Sequence, residues 1–379
     1  MKTAIIINFM PHYRDGFYKE LISDSSLDIT IFCHEPDIES RLKSIHKKYI
    51  KNVKIVKKIS LGKETLIFSF LPFLKILRNY DVLVVEGNPR YLSHFIISTL
   101  ANLLNKPILL WAMAKSISEK QNRITTKIRL SWMSCFKNLL VYTEWEKSFL
   151  KNLGFNTNNI TGICNGLDQK VIDQISSNFD SEKLNKWKSE LFGSDKRIFL
   201  SCARIESKNK FELLIEPLSN IVKVHKNVIW VLIGDGPNRK KISDLSKKYN
   251  LEENVHFVGN LHSEKELAPW FLSAEALIHP GAIGLSILHA FGYGLPVITH
   301  NNIKNHAPEF VAFKEGITGL TFIENSKKDL HQKMNMIINR KVIFQGSKIK
   351  DIPRNHYNTS IMADKFKEAL LISTKSNKH

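Results

Sequence analysis

At 379 residues the chain is too long for one ordinary core, and two domains of roughly 150–200 residues each are expected. Its 43% apolar and 24% charged content excludes a disordered chain, and its four scattered cysteines, with no CxxC pair, argue against a zinc site and for reduced thiols in a cytosolic protein. The net charge of +19 asks for an anionic partner.

Part of that charge is concentrated. Nine Lys and Arg residues run from Arg41 to Lys63 with no intervening acid. No helix-turn-helix, RRM, KH or zinc-finger signature accompanies them, and no aromatic residues are interleaved for stacking bases, so nucleic acid is not the expected partner. Anionic lipid headgroups are, with a solvated face as the plain alternative. The opening MKTAIIINFMPHYRDG does not read as a signal peptide, because its short apolar run continues into strand-like sequence. The most apolar windows, Leu66 to Leu77 and Tyr91 to Leu104, are interrupted by Lys75, His94 and Asn102 and read as buried or amphipathic helices rather than membrane spans.

In chain order, strands are predicted at Thr3–Asn8, Asp28–Cys33, Val53–Val56, Val82–Glu86, Ile108–Trp111 and Leu139–Tyr142. Helices are predicted at Asp15–Ile22, Thr65–Leu77, Tyr91–Leu104, Ile124–Met133 and Glu144–Leu153. This is the alternation of a doubly wound parallel sheet. The pattern then breaks into polar sequence and restarts, with strands at Arg197–Ala203, Val228–Ile233, Val255–Val258, Ala276–His279, Pro296–Thr299 and Gly319–Ile323. The helices between them are Phe211–Val224, Asn238–Tyr249, Ser263–Ser273 and Leu285–Tyr293, and a last one spans Tyr357–Ile372. The expected architecture is α/β, with two Rossmann-like doubly wound domains facing a central cleft. Residues 1–170 form the first domain, 171–195 a linker, 196–350 the second domain, and 351–379 a C-terminal helix packing back toward the first.

Ligands of such sheets bind beyond the carboxyl ends of the strands. The loops that matter are therefore 8–14, 86–90, 111–116, 203–210, 234–237 and 280–286. Arg204, Lys208 and Lys210 supply cations after one strand, and Gly234 and Gly236 permit close backbone approach. The glycine-bracketed loop through Gly281, Ile283, Gly284, Leu285 and Ser286 opens onto a helix start, where amide N–H groups suit a phosphate. An ordinary strand-to-helix turn is the bland alternative for that loop. Together these features suggest a diphosphate site. His12, Tyr13 and Arg14 follow the first strand and are expected to line the cleft, as are Asn88 and Arg90, with helix capping the alternative for Asn88. Glu86, at a strand end, is the carboxylate expected to act in catalysis. Glu309 is expected near the donor, and Trp230 and Trp270 in the core. No acidic pair stands at a strand end to hold a metal ion, and Asp235 is alone there.

The segments ARIESKNKFELLIEPL, VLIGDGPNRKKI, VHFVGNL, ALIHPGAIGLSILHAFGYGLPVIT and HAPEF followed by EGITGLTF, in that order, resemble GT-B glycosyltransferases of the retaining family 4 type. The first half is similar more weakly, through MPHYRDGFYKEL, EGNPRYLS and VYTEWEKSFLKNLG followed by NGLD. The resemblance implies sugar transfer from a nucleotide-diphosphate donor to a glycan or lipid-linked acceptor in bacterial O-antigen, capsule or related surface-polysaccharide synthesis. It further implies an enzyme that is cytoplasmic and works at the inner face of the membrane, and the lack of an acidic pair at a strand end adds the expectation of no metal and no cofactor. It casts Arg204 and Lys210 as stabilisers of the leaving diphosphate.

The departures are as informative. The family's two glutamates, eight positions apart, fall on Gly281 and His289, and its lysine falls on Asn209, between Lys208 and Lys210. A Trp-Gly-His-Gly element of some relatives reads Trp111-Ala112-Met113-Ala114. His289 is expected to contact the donor through a hydroxyl, with a core histidine as the alternative. A nucleotide-sugar 2-epimerase-like enzyme and an inactive GT-B scaffold are the competing functions.

Overall fold

The computed structural model describes residues 1–35, 44–62, 66–114, 123–193 and 195–375. Two compact units divide it: Met1–Asp168 with Asn358–His379, and Gln169–Tyr357.

The first unit runs β1 (Lys2–Ile6), α1 (Asp15–Ile22), β2 (Asp28–Cys33), β3 (Val53–Ile55), β4 (Lys58–Leu61), β5 (Leu66–Ser69), α2 (Phe73–Asn79), β6 (Val82–Glu86), α3 (Leu92–Leu103), β7 (Ile108–Trp111), α4 (Arg123–Ser134), β8 (Leu139–Val141), α5 (Glu144–Asn152) and β9 (Ile160–Gly162). Its main sheet has the order β3-β2-β1-β6-β7-β8-β9, with every pair parallel. Strands such as VLVV in β6 are apolar at consecutive positions because helices bury both faces of a parallel sheet. One core layer holds Ile76, Ile97, Trp132 and Leu150 from α2 to α5. The opposite layer holds Phe17 of α1 with Phe366 and Leu370.

The second unit runs α6 (Gln169–Ser176), α7 (Ser181–Phe192), β10 (Arg197–Cys202), α8 (Ile215–Val224), β11 (Val228–Ile233), α9 (Arg239–Lys248), β12 (Val255–Gly259), α10 (Glu264–Ser273), β13 (Ala274–His279), α11 (Ser286–Gly292), β14 (Val297–His300), β15 (Gly319–Phe322), α12 (Lys327–Ile338) and α13 (Gly346–His356). Its six strands are parallel in the order β12-β11-β10-β13-β14-β15. The last helix, α14 (Thr359–Lys375), belongs to the first unit, where the Phe366 ring lies 5.4 Å from Phe17 and 5.8 Å from Trp111.

Three stretches differ from expectation. Leu66–Ser69, read as the start of a helix, is instead the second strand of an antiparallel hairpin with β4, and α2 begins only after Pro72. The alternating burial of Leu66-Ile67-Phe68-Ser69 is strand periodicity, and Pro72 cannot sit inside a helix without losing a hydrogen bond. Residues 171–195, read as a linker, carry most of α6 and all of α7. Asp180 caps α7 by accepting the Lys183 amide at 2.8 Å, and Trp187 meets Trp270 of α10 edge-on at 4.7 Å. Helices α12 and α13 fill the interval after β15 that carried no predicted element.

Each sheet has one point where the chain reverses direction of travel across it. In the first unit this lies between β1 and β6, and in the second between β10 and β13. Loops leaving the carboxyl ends of two such strands diverge and leave a crevice, the usual seat of a ligand. Those loops are 7–14 and 87–90 in the first unit, and 203–210 and 280–285 in the second.

Candidate active site

In the second unit the crevice is set by close backbone approach. A Cβ at Gly281 would stand 2.1 Å from the Lys208 carbonyl oxygen and 2.7 Å from Asn209 Cα, and the Ala282 amide donates to that same carbonyl at 3.2 Å. No side chain fits at 281. A Cβ at Gly234 would meet the Ala203 oxygen at 2.1 Å, and one at Gly236 would meet the Ile205 oxygen at 2.3 Å. These glycines, expected to admit a ligand, instead let the loops after β11 and β13 clasp the loop after β10. The Ala203 amide donates to the Ile233 carbonyl at 3.1 Å, the Ile205 amide to the Asp235 carbonyl at 3.0 Å, and the Asn238 amide to the Ile205 carbonyl at 3.1 Å, which fixes the backbone on either side of Arg204.

The cations divide into two groups. Arg204 Nε is 2.8 Å from Glu206 Oε1 and Lys208 Nζ is 3.1 Å from Glu206 Oε2, so both gather on one carboxylate, and both remain more than half exposed. Lys210 is turned elsewhere. Its backbone is left-handed at φ 49°, and its Nζ binds Glu324 at 3.1 Å and Asn325 at 3.0 Å. Burial works against ionisation of Glu324, yet hydrogen bonds from Asn302, Asn305 and Lys210 outweigh it and hold the carboxyl down to about 2. Asn209, where the resembling family has lysine, is buried and donates its Nδ2 to the Arg204 carbonyl at 2.6 Å.

The amides of the 280–286 loop are partly consumed as well. The Ile283 amide donates to His306 Nδ1 at 3.2 Å, and His306 Nε2 in turn donates to the His300 carbonyl at 2.8 Å. His300 and His306 stack at 3.8 Å, and His279 is buried beneath the loop. Burial drives all three toward the neutral form, with values down to about 3 for His279 and His306 and about 4 for His300. Among the described residues no acceptor is found for the Gly284, Leu285 or Ser286 amide, which are donors the loop presents at the start of α11. Ser286 donates its hydroxyl to the Cys202 carbonyl at 3.2 Å, tying α11 to the end of β10. Glu309 is buried, with Oε2 3.9 Å from the position a Cβ would take at Gly284.

His289 is neither a lone ligand nor a core residue. Its Nε2 lies 3.0 Å from Glu264 Oε2, and the Tyr293 hydroxyl donates to the same oxygen at 2.7 Å. The Phe271 ring closes the other side at 4.5 Å. Burial first, then the charge of Glu264, pushes Cys202 up to about 12, which sets this carboxylate electrostatically beside the end of β10. Sequence reasoning missed Glu264. The available signal was Ser263, whose capping box with Glu266 marks the helix start after β12, at a strand's carboxyl end.

In the first unit Glu86 Oε2 accepts the Asn8 amide at 2.7 Å, so the loops after β6 and β1 are joined at the reversal point. Burial raises the Glu86 carboxyl above its ordinary value, opposed by that hydrogen bond and by Arg14. The Arg14 guanidinium lies 4.7 Å over the Trp111 ring and 5.5 Å over Tyr142. Arg14 Nε, Tyr18 Oη and Trp111 Nε1 are buried polar atoms without a hydrogen-bond partner among the described residues, a cost that an ordered water or a polar ligand would relieve. Trp111, Tyr142 and Tyr18 were not among the expected contacts, although an aromatic residue at a strand's carboxyl end was visible at Trp111. His12 and Tyr13 share the short 3₁₀ turn with Arg14, their rings edge to face at 5.9 Å. Asn88 makes a local turn, its Oδ1 accepting the Arg90 amide at 3.2 Å, and Arg90 is exposed. It does not cap α3, whose N-cap is Tyr91. Residues 115 and 116 of the loop after β7 lie outside the described residues, as do Arg41, Lys43 and Lys63 of the basic run. Among the described residues no cluster of His, Cys, Asp and Glu has the geometry of a metal site, and all four cysteines are free thiols.

Residues 182–352 match the family model for Glycosyl transferases group 1, a span that covers the strands and loops of the second-unit crevice. Protein CapJ of Staphylococcus aureus is 28% identical over 188 residues, covering 48% of this chain and 46% of that protein. The O-antigen biosynthesis glycosyltransferase WclY of Escherichia coli is 26% identical over 215 residues, covering 52% and 54%. The chain thus spans about half the length of the curated relatives it matches. The crystal structure of Anabaena HepE in complex with UDP superposes with a TM-score of 0.74 at 13% identity, over 98% of this chain and 99% of that one. The two Rossmann-like halves have the fold of GT-B glycosyltransferases. With the family match and the relatives, this supports a GT-B glycosyltransferase.

Proposed function

We propose that the chain is a retaining, metal-independent glycosyltransferase that moves a sugar from a nucleotide-diphosphate donor to a glycan or lipid-linked acceptor in the synthesis of a bacterial surface polysaccharide. The observation that carries this reading is the meeting of the β10 and β13 loops at the strand reversal, the first carrying two half-exposed cations, Arg204 and Lys208, and the second the start of α11. Arg204 and Lys208, with the Gly284 and Leu285 amides, have the chemistry to hold a diphosphate. HepE, of the same fold, is bound to UDP.

In the proposed step the anomeric carbon–oxygen bond to the diphosphate breaks and a bond to the acceptor oxygen forms on the same face of the sugar. The acceptor's proton passes to a diphosphate oxygen. Most of the acceleration then comes from cations and amides already aimed at the charge that develops on the leaving group. Glu86, made more basic by burial, is the group in the first unit fitted to orient the acceptor hydroxyl, with Arg14 beside it. The name of WclY, an O-antigen biosynthesis glycosyltransferase, supports the polysaccharide setting, and a lipid-linked acceptor would put the work at the inner face of the cytoplasmic membrane. Donor binding belongs to the second unit, with Glu264 and His289 as its hydroxyl-binding pair.

A thermal-shift screen of nucleotide sugars against the wild type, Arg204→Ala and His289→Ala tests the reading. One donor should stabilise the wild type, lose most of that effect in Arg204→Ala, and be transferred unchanged in the presence of EDTA. A donor altered with no acceptor present would instead indicate an epimerase. Failure of every nucleotide sugar to bind would leave a scaffold protein.

A further inference from the structure

Lys365 of α14 ends in a cluster that sugar transfer leaves unused. Its Nζ lies 3.1 Å from Cys164 Sγ, 3.2 Å from the Gly162 carbonyl oxygen and 3.2 Å from Glu144 Oε1. Two features of the backbone assemble these partners. A Cβ at Gly162 would stand 2.7 Å from the Thr143 carbonyl carbon and from the Glu144 amide nitrogen, so only glycine lets the end of β9 lie against the start of α5. Cys164 then turns left-handed at φ 54°, a conformation disfavoured for a residue with a Cβ, and its sulfur ends on the lysine. Phe366, the next residue of α14, packs on Phe17 and Trp111, which anchors the lysine's own backbone.

The four cysteines are not equivalent. Burial pushes the Cys33 and Cys202 thiols up to about 12, and thiols held so stay protonated and inert. Cys135 is exposed and donates to the Ser131 carbonyl at 3.3 Å. Among the described residues Cys164 is the cysteine with an ammonium at hydrogen-bond distance. Burial opposes the charge on Lys365, but its contacts with Cys164 and Glu144 outweigh that and hold the amine above its ordinary value. Cys164 is 8% exposed and the lysine side chain 31%. The pair is covered without being sealed, and a small oxidant reaches it more readily than a second protein thiol.

We propose that Cys164 and Lys365 form a peroxide-responsive covalent link, a sulfenamide that joins α14 to the end of β9. The ammonium favours the thiolate, whose proton is released to solvent. Attack of the thiolate on hydrogen peroxide forms an S–O bond as the O–O bond breaks, and the departing hydroxide takes a proton from the Lys365 ammonium to become water. The free amine then attacks the sulfur of the sulfenic acid. The S–N bond forms as the S–O bond breaks, and the second hydroxide leaves with a proton of the amine as water. The sulfur is oxidised, the peroxide is reduced to water, and the thiol and amine together lose two hydrogens. A thiol reductant reverses the link. The proposal rests on no part of the sugar-transfer reading.

Peptide mapping of the full chain after treatment with hydrogen peroxide is the test, on the wild type and on Cys135→Ser, which lacks the exposed thiol. In both, the Cys164 peptide should be recovered joined to the Lys365 peptide with two hydrogens missing. Trypsin should no longer cut after Lys365, and dithiothreitol should restore the cut. Lys365→Arg keeps the charge and lacks the amine, so there Cys164 should stop at a sulfenic acid that dimedone traps. Cys164→Ser should give no link. Melting curves before treatment guard against misfolding, and the wild-type peptides decide the matter if either variant melts early. The proposal is overturned if Cys164 stays a thiol under peroxide that oxidises Cys135. It is equally overturned if Cys164 reaches the sulfinic acid while Lys365 is still cleaved, or if its peptide is recovered in a disulfide.

Discussion

His289 Nε2 stands 3.0 Å from Glu264 Oε2, so the helix position that lacks the family's glutamate has a carboxylate brought to it from α10. The acid lies beside the end of β10, where Ser286 joins α11 to the strand. A carboxylate gripped by an imidazole and by the Tyr293 phenol is oriented before any ligand arrives.

Glu264→Gln is therefore expected to weaken binding of the stabilising nucleotide sugar by roughly tenfold to a hundredfold, the range for a charge-assisted hydrogen bond of about 1.5–3 kcal/mol. Calorimetry with that ligand, or with UDP as a first probe, measures it. His289→Ala should cost less, because Tyr293 still holds the acid. Unchanged affinity in both variants would make the pair purely structural.

Restoring the family residue at the other position is expected to fail. In Gly281→Glu the new side chain meets the Lys208 carbonyl oxygen at 2.1 Å, and overpacking against backbone costs about 3 kcal/mol or more. For a unit of this size the melting temperature should drop by roughly 6–12 °C. A variant that melts with the wild type would show that the 207–210 turn yields easily.

The two lysines should separate binding from stability. Lys208→Ala is expected to weaken donor binding by about tenfold with little change in melting. Lys210→Ala should leave donor affinity within about twofold and instead destabilise by about 1 kcal/mol, as a half-buried ion pair and its hydrogen bonds are lost. The folded value of Glu324 lies below its unfolded one, so its contribution is present above about 4.5 and lost as pH falls toward about 2. Lys210→Ala should shrink that acid-sensitive contribution. If Lys210→Ala abolishes donor binding and Lys208→Ala does not, the assignment is reversed.

Buried histidines set a second pH window. His94, His279, His300 and His306 are held neutral by burial, with folded values of about 3 to 4 against 6.5 for the free side chain. The unfolded chain takes up protons below 6.5 that the folded chain refuses, so stability falls as pH drops from about 6.5 toward 4. The ceiling is ~1.4 kcal/mol per pH unit for each histidine. Urea melts at pH 7.5, 6 and 5 should show the midpoint falling. A flat profile over that range would mean that the histidines protonate within the fold.

The parallel sheets were legible because buried strands such as VLVV and VIWVLI are written as unbroken apolar runs between helical periods. Arg204 and the 280–286 loop were legible because loops at strand ends follow from that alternation. What the sequence concealed was approach. Gly234, Gly236 and Gly281 read equally well as ligand-facing or backbone-facing, and only the 2.1–2.3 Å separations decide between them. The partnership of Glu264 with His289 joins residues 25 positions apart on two helices, and no local spacing announces such a pair. The Leu66–Ser69 strand was hidden in an apolar window long enough to pass for a helix, a known ambiguity of short apolar segments.

The contact between Gly281 and the Ser207–Asn209 turn also constrains how this chain can change. Glutamate cannot enter at 281 while Lys208 and Asn209 hold their present backbone, and that turn has no cause to move while 281 is glycine. Neither mutation is acceptable first. The two segments are locked together, and a carboxylate beside the end of β10 comes instead from another helix, as Glu264 does from α10.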